Sequence, residues 1–273
     1  MVESDAALFP AARTLMPAVS GRLRQPDYTA YARFYDYFEL AGHEESEELN
    51  LFLDELFDIN NVESVVDFAC GTGAQAVGLA HAGYRVTAAD LNPEMLKIAR
   101  KKAKGLKIKF IEADMRSADL GNHDAAICIF NAIGHLTQDE CRAFFENAIK
   151  HLNPDGIFVT DILNFRSMQG KGLAQYRRMR REAIIDGLLV QHSRKCTLLR
   201  SEQQLRIESI TRWQDGVHAP QEIIDDWQMQ LYDSDELHAM LKAAGFKEIS
   251  FFAAAGCEFD ETTSENIMAI CQK

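Results

Sequence analysis

The 273-residue chain is most informative at first through what it lacks. No apolar run reaches the ~18–20 residues that a membrane-spanning helix needs, so no membrane partner is expected. The opening Met1-Val2-Glu3-Ser4-Asp5 carries no basic segment and leads into no long apolar stretch, so a secretory leader is not expected. Six cysteines (Cys70, Cys128, Cys141, Cys196, Cys257, Cys271) lie scattered without a C-x-x-C pair. That argues against a zinc site, or any other metal, and against a disulfide framework; free thiols in a reducing cytoplasm are the expectation. Positive charge is in short supply: 29 Lys+Arg against 41 Asp+Glu leave a net charge of −12. Such a chain is a poor general binder of DNA or RNA, since phosphate contacts need a basic surface. Internal repeats and low-complexity tracts are also missing. What is present is a globular composition, 47% hydrophobic and 26% charged, enough for a core of normal size.

Residues 1–60 read as a helical cap. Residues 27–40 are rich in aromatics (Tyr28, Tyr31, Phe34, Tyr35, Tyr37, Phe38), and residues 44–57 are expected to set Leu49, Leu51, Phe52, Leu53, Leu56 and Phe57 on one apolar face. From Val62 the rhythm becomes strand and helix in turn. Strands are predicted at 64–69, 84–89, 107–111, 125–130 and 157–163, and helices at 74–82, 93–104 and 139–151. Asn92 is a natural N-cap with Pro93 behind it, and Asn153-Pro154-Asp155-Gly156 stops the last helix. This alternation implies a doubly wound parallel sheet over residues 61–165. Residues 166–231 break it: Leu205, Ile207, Ser209, Thr211 and Trp213 alternate with polar neighbours, Asp215-Gly216 is a turn signal, and a further strand is expected around Asp225, Trp227, Met229 and Leu231. This stretch is expected to be an antiparallel insert shaping an acceptor site or a dimer contact. The core resumes at 232–273, with Asp233-x-x-Glu236 capping a helix at 234–244, Gly245 ending it, and last strands at 246–252 and 266–271.

The sharpest local signal is Asp67-Phe68-Ala69-Cys70-Gly71-Thr72-Gly73-Ala74-Gln75-Ala76, a strand, a tight glycine turn and a helix start. The helix N-terminus offers free N–H groups, and glycine allows close ligand approach. Gly71-x-Gly73-x-x-Ala76 alone also fits a dinucleotide fingerprint, so a nicotinamide-dependent oxidoreductase stays open on the glycines. Asp67 tilts the balance, because a carboxylate beside the turn repels a pyrophosphate and welcomes an ammonium. Asp90 ends the second strand, where it can take both ribose hydroxyls, and Asp114 ends the third, where it can accept from an adenine amino group.

Together these segments resemble the class I S-adenosylmethionine (SAM)-dependent methyltransferases. The resemblance rests on residues 67–73, on Ala89-Asp90-Leu91-Asn92-Pro93-Glu94-Met95-Leu96, on Glu112-Ala113-Asp114-Met115-Arg116, and on Phe130-Asn131-Ala132-Ile133-Gly134-His135-Leu136. It leaves residues 166–231 uncovered, and Ala69 stands where the family more often has glycine. It implies an α/β, Rossmann-like seven-stranded sheet with the last strand antiparallel, the helical cap and the antiparallel insert being added to it. It further implies a methyl transfer from SAM, leaving S-adenosylhomocysteine (SAH), to N or O of a small molecule. In such an enzyme Ala69, Gly71 and Gly73 cradle the methionine part, Asp90 holds the ribose, and Leu91 and Met115 sandwich the adenine read by Asp114, with Asp67 and Met95 also at the cofactor. Phe130, Asn131 and Ile133 run beside the sulfonium.

Tyr28 and Tyr35, seven apart on one helix face, resemble the tyrosine-rich lead-in that closes over the donor in small-molecule methyltransferases. His135, just past the fourth strand, is the candidate catalytic residue, as proton acceptor or as acceptor-positioning group, with an ordinary pKa near ~6.5. Arg177, Arg178, Arg180 and Arg181 form a basic cluster that reads as a solvated face, or as a site for an anionic acceptor or an acidic partner surface. The assembly is expected to be a monomer or a homodimer. A SAM- or nucleotide-binding module without catalysis remains the non-enzymatic alternative.

Overall fold

A computed structural model describes residues 23–39 and 44–273. The part of the expected cap at 1–22 and 40–43 lies outside the described residues.

Helix α1 (Tyr28–Phe38) starts where the Asp27 carboxylate accepts the Ala30 N–H, and α2 (Glu44–Ile59) buries Leu49, Leu53 and Phe57. The alternating core follows as β1 (Ser64–Phe68), α3 (Ala74–Ala82), β2 (Arg85–Asp90), α4 (Pro93–Lys102), β3 (Ile108–Glu112), β4 (His123–Cys128), α5 (Gln138–Lys150) and β5 (Leu152–Leu163). The insert contributes α6 (Phe165–Met168), α7 (Gly172–Tyr176), β6 (Arg178–Ile185), β7 (Leu188–Leu199), β8 (Gln204–Gln214) and β9 (Gln221–Gln230). The chain closes with α8 (Ser234–Ala244), β10 (Lys247–Phe252) and β11 (Asn266–Gln272).

Seven strands form one sheet in the order β3-β2-β1-β4-β5-β11-β10. β1 to β5 run parallel, and β11 runs antiparallel to both β5 and β10. β1 to β3 are laid outward on one side and β4 and β5 on the other. The connections therefore diverge between β1 and β4, which opens a crevice beyond the carboxyl ends of the strands. One sheet face buries Phe68, Phe144, Phe145 and Phe158 under α5 and α8; the other buries Val65, Ile127 and Val159 with Leu53 and Phe57 of α2.

Two departures from the sequence reading have local causes. β5 begins at Leu152 rather than 157, because Leu152 already pairs with His123 before the Asn153–Gly156 turn shifts the register. The helix does stop there, at Lys150. The insert is richer than its alternating segment suggested: a four-stranded antiparallel sheet, β6-β7-β8-β9, preceded by two short helices. Its inner face packs Ile185 and Val190 against Phe34 and Phe38 of α1, so cap and insert share a small core. Five cysteines are buried and Cys257 is exposed; all six are free. No helix among the described residues is long and apolar enough to cross a membrane.

Candidate active site

The turn after β1 is wound by three left-handed residues, Ala69 (φ +56°), Gly71 (φ +53°) and Gly73 (φ +80°). For Ala69 this conformation is strained, which accounts for glycine being the commoner choice there. At Gly71 a Cβ would project into open space at the cavity wall; at Gly73 it would come 2.9 Å from Ala99 Cβ. Gly71 keeps room for a ligand, whereas Gly73 lets the turn pack on α4.

The strand ends bring carboxylates to one crevice. Asp90 accepts the Gly71 N–H at 2.7 Å on Oδ2 and the Asn92 N–H at 2.8 Å on Oδ1, which leaves lone pairs on both oxygens for further donors. Burial raises the Asp90 pKa against those bonds. Asp67 is 3% exposed, and its Oδ2 has no partner. Burial, and then the charge of Asp90, push its pKa well above the usual carboxylate range. A buried acceptor left open beside a second carboxylate favours a cationic or donor group in the crevice.

The crevice is a cavity of about 590 Å³ roofed by the cap. Gln25, Tyr28, Thr29 and Tyr35 form the roof, and Asn92 Nδ2 donates to Thr29 Oγ1 at 3.1 Å. A latch pins α1 over the turn: Thr72 Oγ1 donates to Asp36 at 2.5 Å, and Lys102 Nζ reaches Asp36 at 2.5 Å and Thr72 Oγ1 at 3.0 Å. The insert holds the roof from the other side, through Arg24–Asp226 and through Asp225, which accepts the Asp27 N–H at 2.6 Å.

His135 lies at the end of a single 3-10 turn, Ala132–His135, with one edge on the cavity. Its Nε2 is hydrogen-bonded to Tyr28 Oη at 2.9 Å, its ring stacks on Trp227, and its Nδ1 is buried without a partner. Burial lowers its pKa to about 4, so the ordinary value expected from sequence is corrected: the ring is neutral throughout the neutral range. Burial pushes the Tyr28 and Tyr35 hydroxyls up, and both keep their protons.

Of the residues singled out in the sequence, Tyr28, Tyr35, Asp67, Ala69, Gly71, Asp90, Leu91, Met95, Met115, Phe130 and His135 line this one cavity. Leu91 is 65% exposed, an apolar side chain at the rim with nothing over it. Four do not line it. Gly73 supports the turn from behind. Asp114 is engaged by the Arg116 guanidinium, whose hydrogen bonds lower its pKa. Ile133 is fully buried in the core, and the Asn131 N–H turns to Asp161. The stretch after β4 is thus no strand end but a left-handed pair followed by a 3-10 turn. Sequence reading passed over Gln25, Asp27, Thr72, Gln75, Arg116 and Glu140, all at the cavity. Thr72, Gln75 and Arg116 lie within the motifs themselves, and Arg116 bonds both Asp114 and Glu140. In the basic cluster, Arg181 reaches the Phe38 carbonyl at 3.4 Å, and Arg180 is exposed.

The sheet order, the reversed last strand and the carboxylates around a glycine turn are those that the resemblance to class I SAM-dependent methyltransferases implies. The cradle at Gly71, the open lone pairs of Asp90 and the unpartnered Asp67 oxygen fit SAM. Residues 65–156 match the family described as a methyltransferase domain. A putative methyltransferase, YqeM of Bacillus subtilis (strain 168), is 30% identical over 139 residues, which are 50% of this chain and 55% of that protein. The dTDP-3-amino-3,6-dideoxy-alpha-D-glucopyranose N,N-dimethyltransferase of Streptomyces fradiae is 37% identical over 100 residues, 36% of this chain and 38% of that protein. The matches thus span about half or less of these two relatives. The crystal structure of a SAM-dependent methyltransferase from Clostridium acetobutylicum ATCC 824 superposes with a TM-score of 0.74 at 19% identity, covering 90% of this chain and 98% of that one. At that identity the likeness speaks for the fold.

Proposed function

We propose that the protein methylates an amine nitrogen of a small-molecule acceptor. The observation that carries this reading is the charge of the cavity. Asp27, Asp67, Asp90 and Glu140 line it, and among the described residues the one cation in its lining, Arg116, is bound to Asp114 and Glu140. A negative cavity draws in a positively charged donor and an amine, and it disfavours an anionic acceptor. The amino-sugar N,N-dimethyltransferase relative supports the choice of nitrogen over oxygen.

SAM, when bound, supplies an electrophilic methyl group on a sulfonium. The residues of the chain do the rest by placement. Asp90 accepts from ribose hydroxyls, and Asp67 faces the ammonium end. Leu91 and Met115 offer apolar surfaces to a purine, and Asn131 and Ile133 support that wall from behind. Tyr28, holding its proton, donates to His135 Nε2 and leaves its own lone pairs free to take an N–H of the acceptor. The acceptor nitrogen then keeps its lone pair for the displacement. The closed cap excludes water and holds the two reactants at the ~3–3.5 Å of a near-attack pair. With a pKa of about 4, His135 serves as the orienting partner of Tyr28 rather than as a lasting proton store.

The test is a panel of primary and secondary amines, amino sugars among them, against matched alcohols, with methyl-labelled SAM. Label on nitrogen is expected. Label confined to oxygen would overturn the choice of nucleophile.

A further inference from the structure

Phe130 and Asn131 are consecutive residues in the left-handed region, both at φ +59°. Neither is glycine, and that conformation costs about 1–2 kcal/mol per residue. They open the turn that carries Ala132 and His135 to the cavity, and Gly134 N–H closes it on the Asn131 carbonyl at 2.9 Å. The turn has little slack on the insert side, where a Cβ on Gly134 would meet Met229 Cε at 2.9 Å and the Gln230 carbonyl at 3.2 Å. What holds the strained pair is a carboxylate beneath it. Asp161 of β5, 7% exposed, accepts the Asn131 N–H at 2.9 Å on Oδ1 and is stabilised in its charged form by the Phe130 N–H as well. Two successive N–H groups around one anion make a nest.

We propose that Asp161 is a positioning residue: its ionised carboxylate pins the Phe130–Asn131 turn, and through it the wall of the cavity and His135. Asp161 is not part of the cavity lining. The consequence for turnover rests on the methyl-transfer reading; the positioning itself does not.

Among the described residues, three groups face Asp161 from the elements packed against it. From β4 comes the Cys128 thiol and from α1 the Tyr35 hydroxyl, each raised in part by its charge; from β11 comes Met268. Burial raises the Asp161 pKa to about 7. Protonation weakens the acceptor that holds the strained pair, so the turn loosens as pH falls through about 7. The same range cannot belong to His135, which titrates near 4.

The experiment pairs two readouts. In cofactor-free protein with Trp213→Phe, Trp227 emission reports on the ring stacked against it. A transition with a midpoint near pH 7 is expected, and Asp161→Asn should abolish it. In turnover, the ratio of the wild-type rate to the Asp161→Asn rate, which cancels the protonation of the amine acceptor common to both, should fall about tenfold from pH 8 to pH 6. Asn131→Gly relieves the backbone strain and keeps Asp161, so it should shrink both transitions, which guards against a folding defect in the first variant. Full-size transitions in Asp161→Asn or in Asn131→Gly, or none in the wild type, would overturn the proposal. An emission transition that obeys Asp161, in a protein inactive on every acceptor, would overturn the methyl-transfer reading and leave the positioning role standing.

Discussion

Trp227 stacks on His135 with ring centroids 5.2 Å apart and planes 26° from parallel. Tyr28 meets the same imidazole edge-on, at 5.5 Å and 77°. Three separate parts of the chain thus converge on one ring: the insert, the cap and the turn after β4. Trp227→Ala removes the stack, worth about 0.5–1.5 kcal/mol beyond its area. Turnover efficiency toward the acceptor is expected to drop about 2- to 10-fold or more, with SAH affinity close to wild type. Steady-state kinetics with a calorimetric control check this.

The hydroxyl of Tyr28 is the group proposed to hold the acceptor. Tyr28→Phe keeps the ring against Tyr35 and His135 and removes that oxygen. The loss of one hydrogen bond, about 0.5–1.5 kcal/mol, should raise the acceptor KM about 2- to 10-fold. An unchanged acceptor KM and kcat would take Tyr28 out of acceptor binding.

His135 affects acid stability in a direction fixed by its shift. Its pKa falls from 6.5 unfolded to about 4 folded. Between those values the unfolded chain binds the extra proton, so this contribution to stability is intact above pH 6.5 and is lost as pH falls toward 4. The span corresponds to about 3 kcal/mol as an order of magnitude. His135→Gln should therefore lose less stability than wild type between pH 7 and pH 4.5 in urea titrations, whereas a parallel loss would contradict a neutral buried imidazole.

The latch at Asp36 ties the cap to the turn after β1 and to α4. Its ion pair with Lys102 is partly exposed and worth about 1 kcal/mol or less. Asp36→Asn should weaken SAH binding a few-fold and speed hydrogen exchange over residues 28–38, while exchange in β1 and β4 stays slow.

Much of the core was legible because its signals are local. Asn92 accepts from the Glu94 and Met95 N–H groups, the Asp233–Glu236 capping box forms, and Gly245 ends α8 in the left-handed conformation, all as the sequence implied. The carboxylates were legible as a set because parallel strands bring their carboxyl ends to one edge. What stayed hidden depends on contacts distant in sequence. Arg116 reaching Asp114 and Glu140, Trp227 lying on His135 from 92 positions away, and Asp161 under a strained turn have no short-range signature. The His135 pKa was misjudged for the same reason, since burial by cap and insert sets it. In the insert, β6 and β7 escaped notice because their buried faces include polar residues such as His192 and Arg194, which break the alternation of apolar with polar.

The most direct test of the account is calorimetric titration of SAH and NADH into the wild-type protein and Asp90→Ala, with unfolding midpoints recorded as a check on folding. SAH is expected to bind and NADH is not. Asp90→Ala should weaken SAH about 10- to 100-fold, the value of charged hydrogen bonds worth about 1.5–3 kcal/mol. Tight NADH binding, or SAH affinity unmoved by the loss of Asp90 in a folded variant, would contradict the assignment of the cavity to SAM.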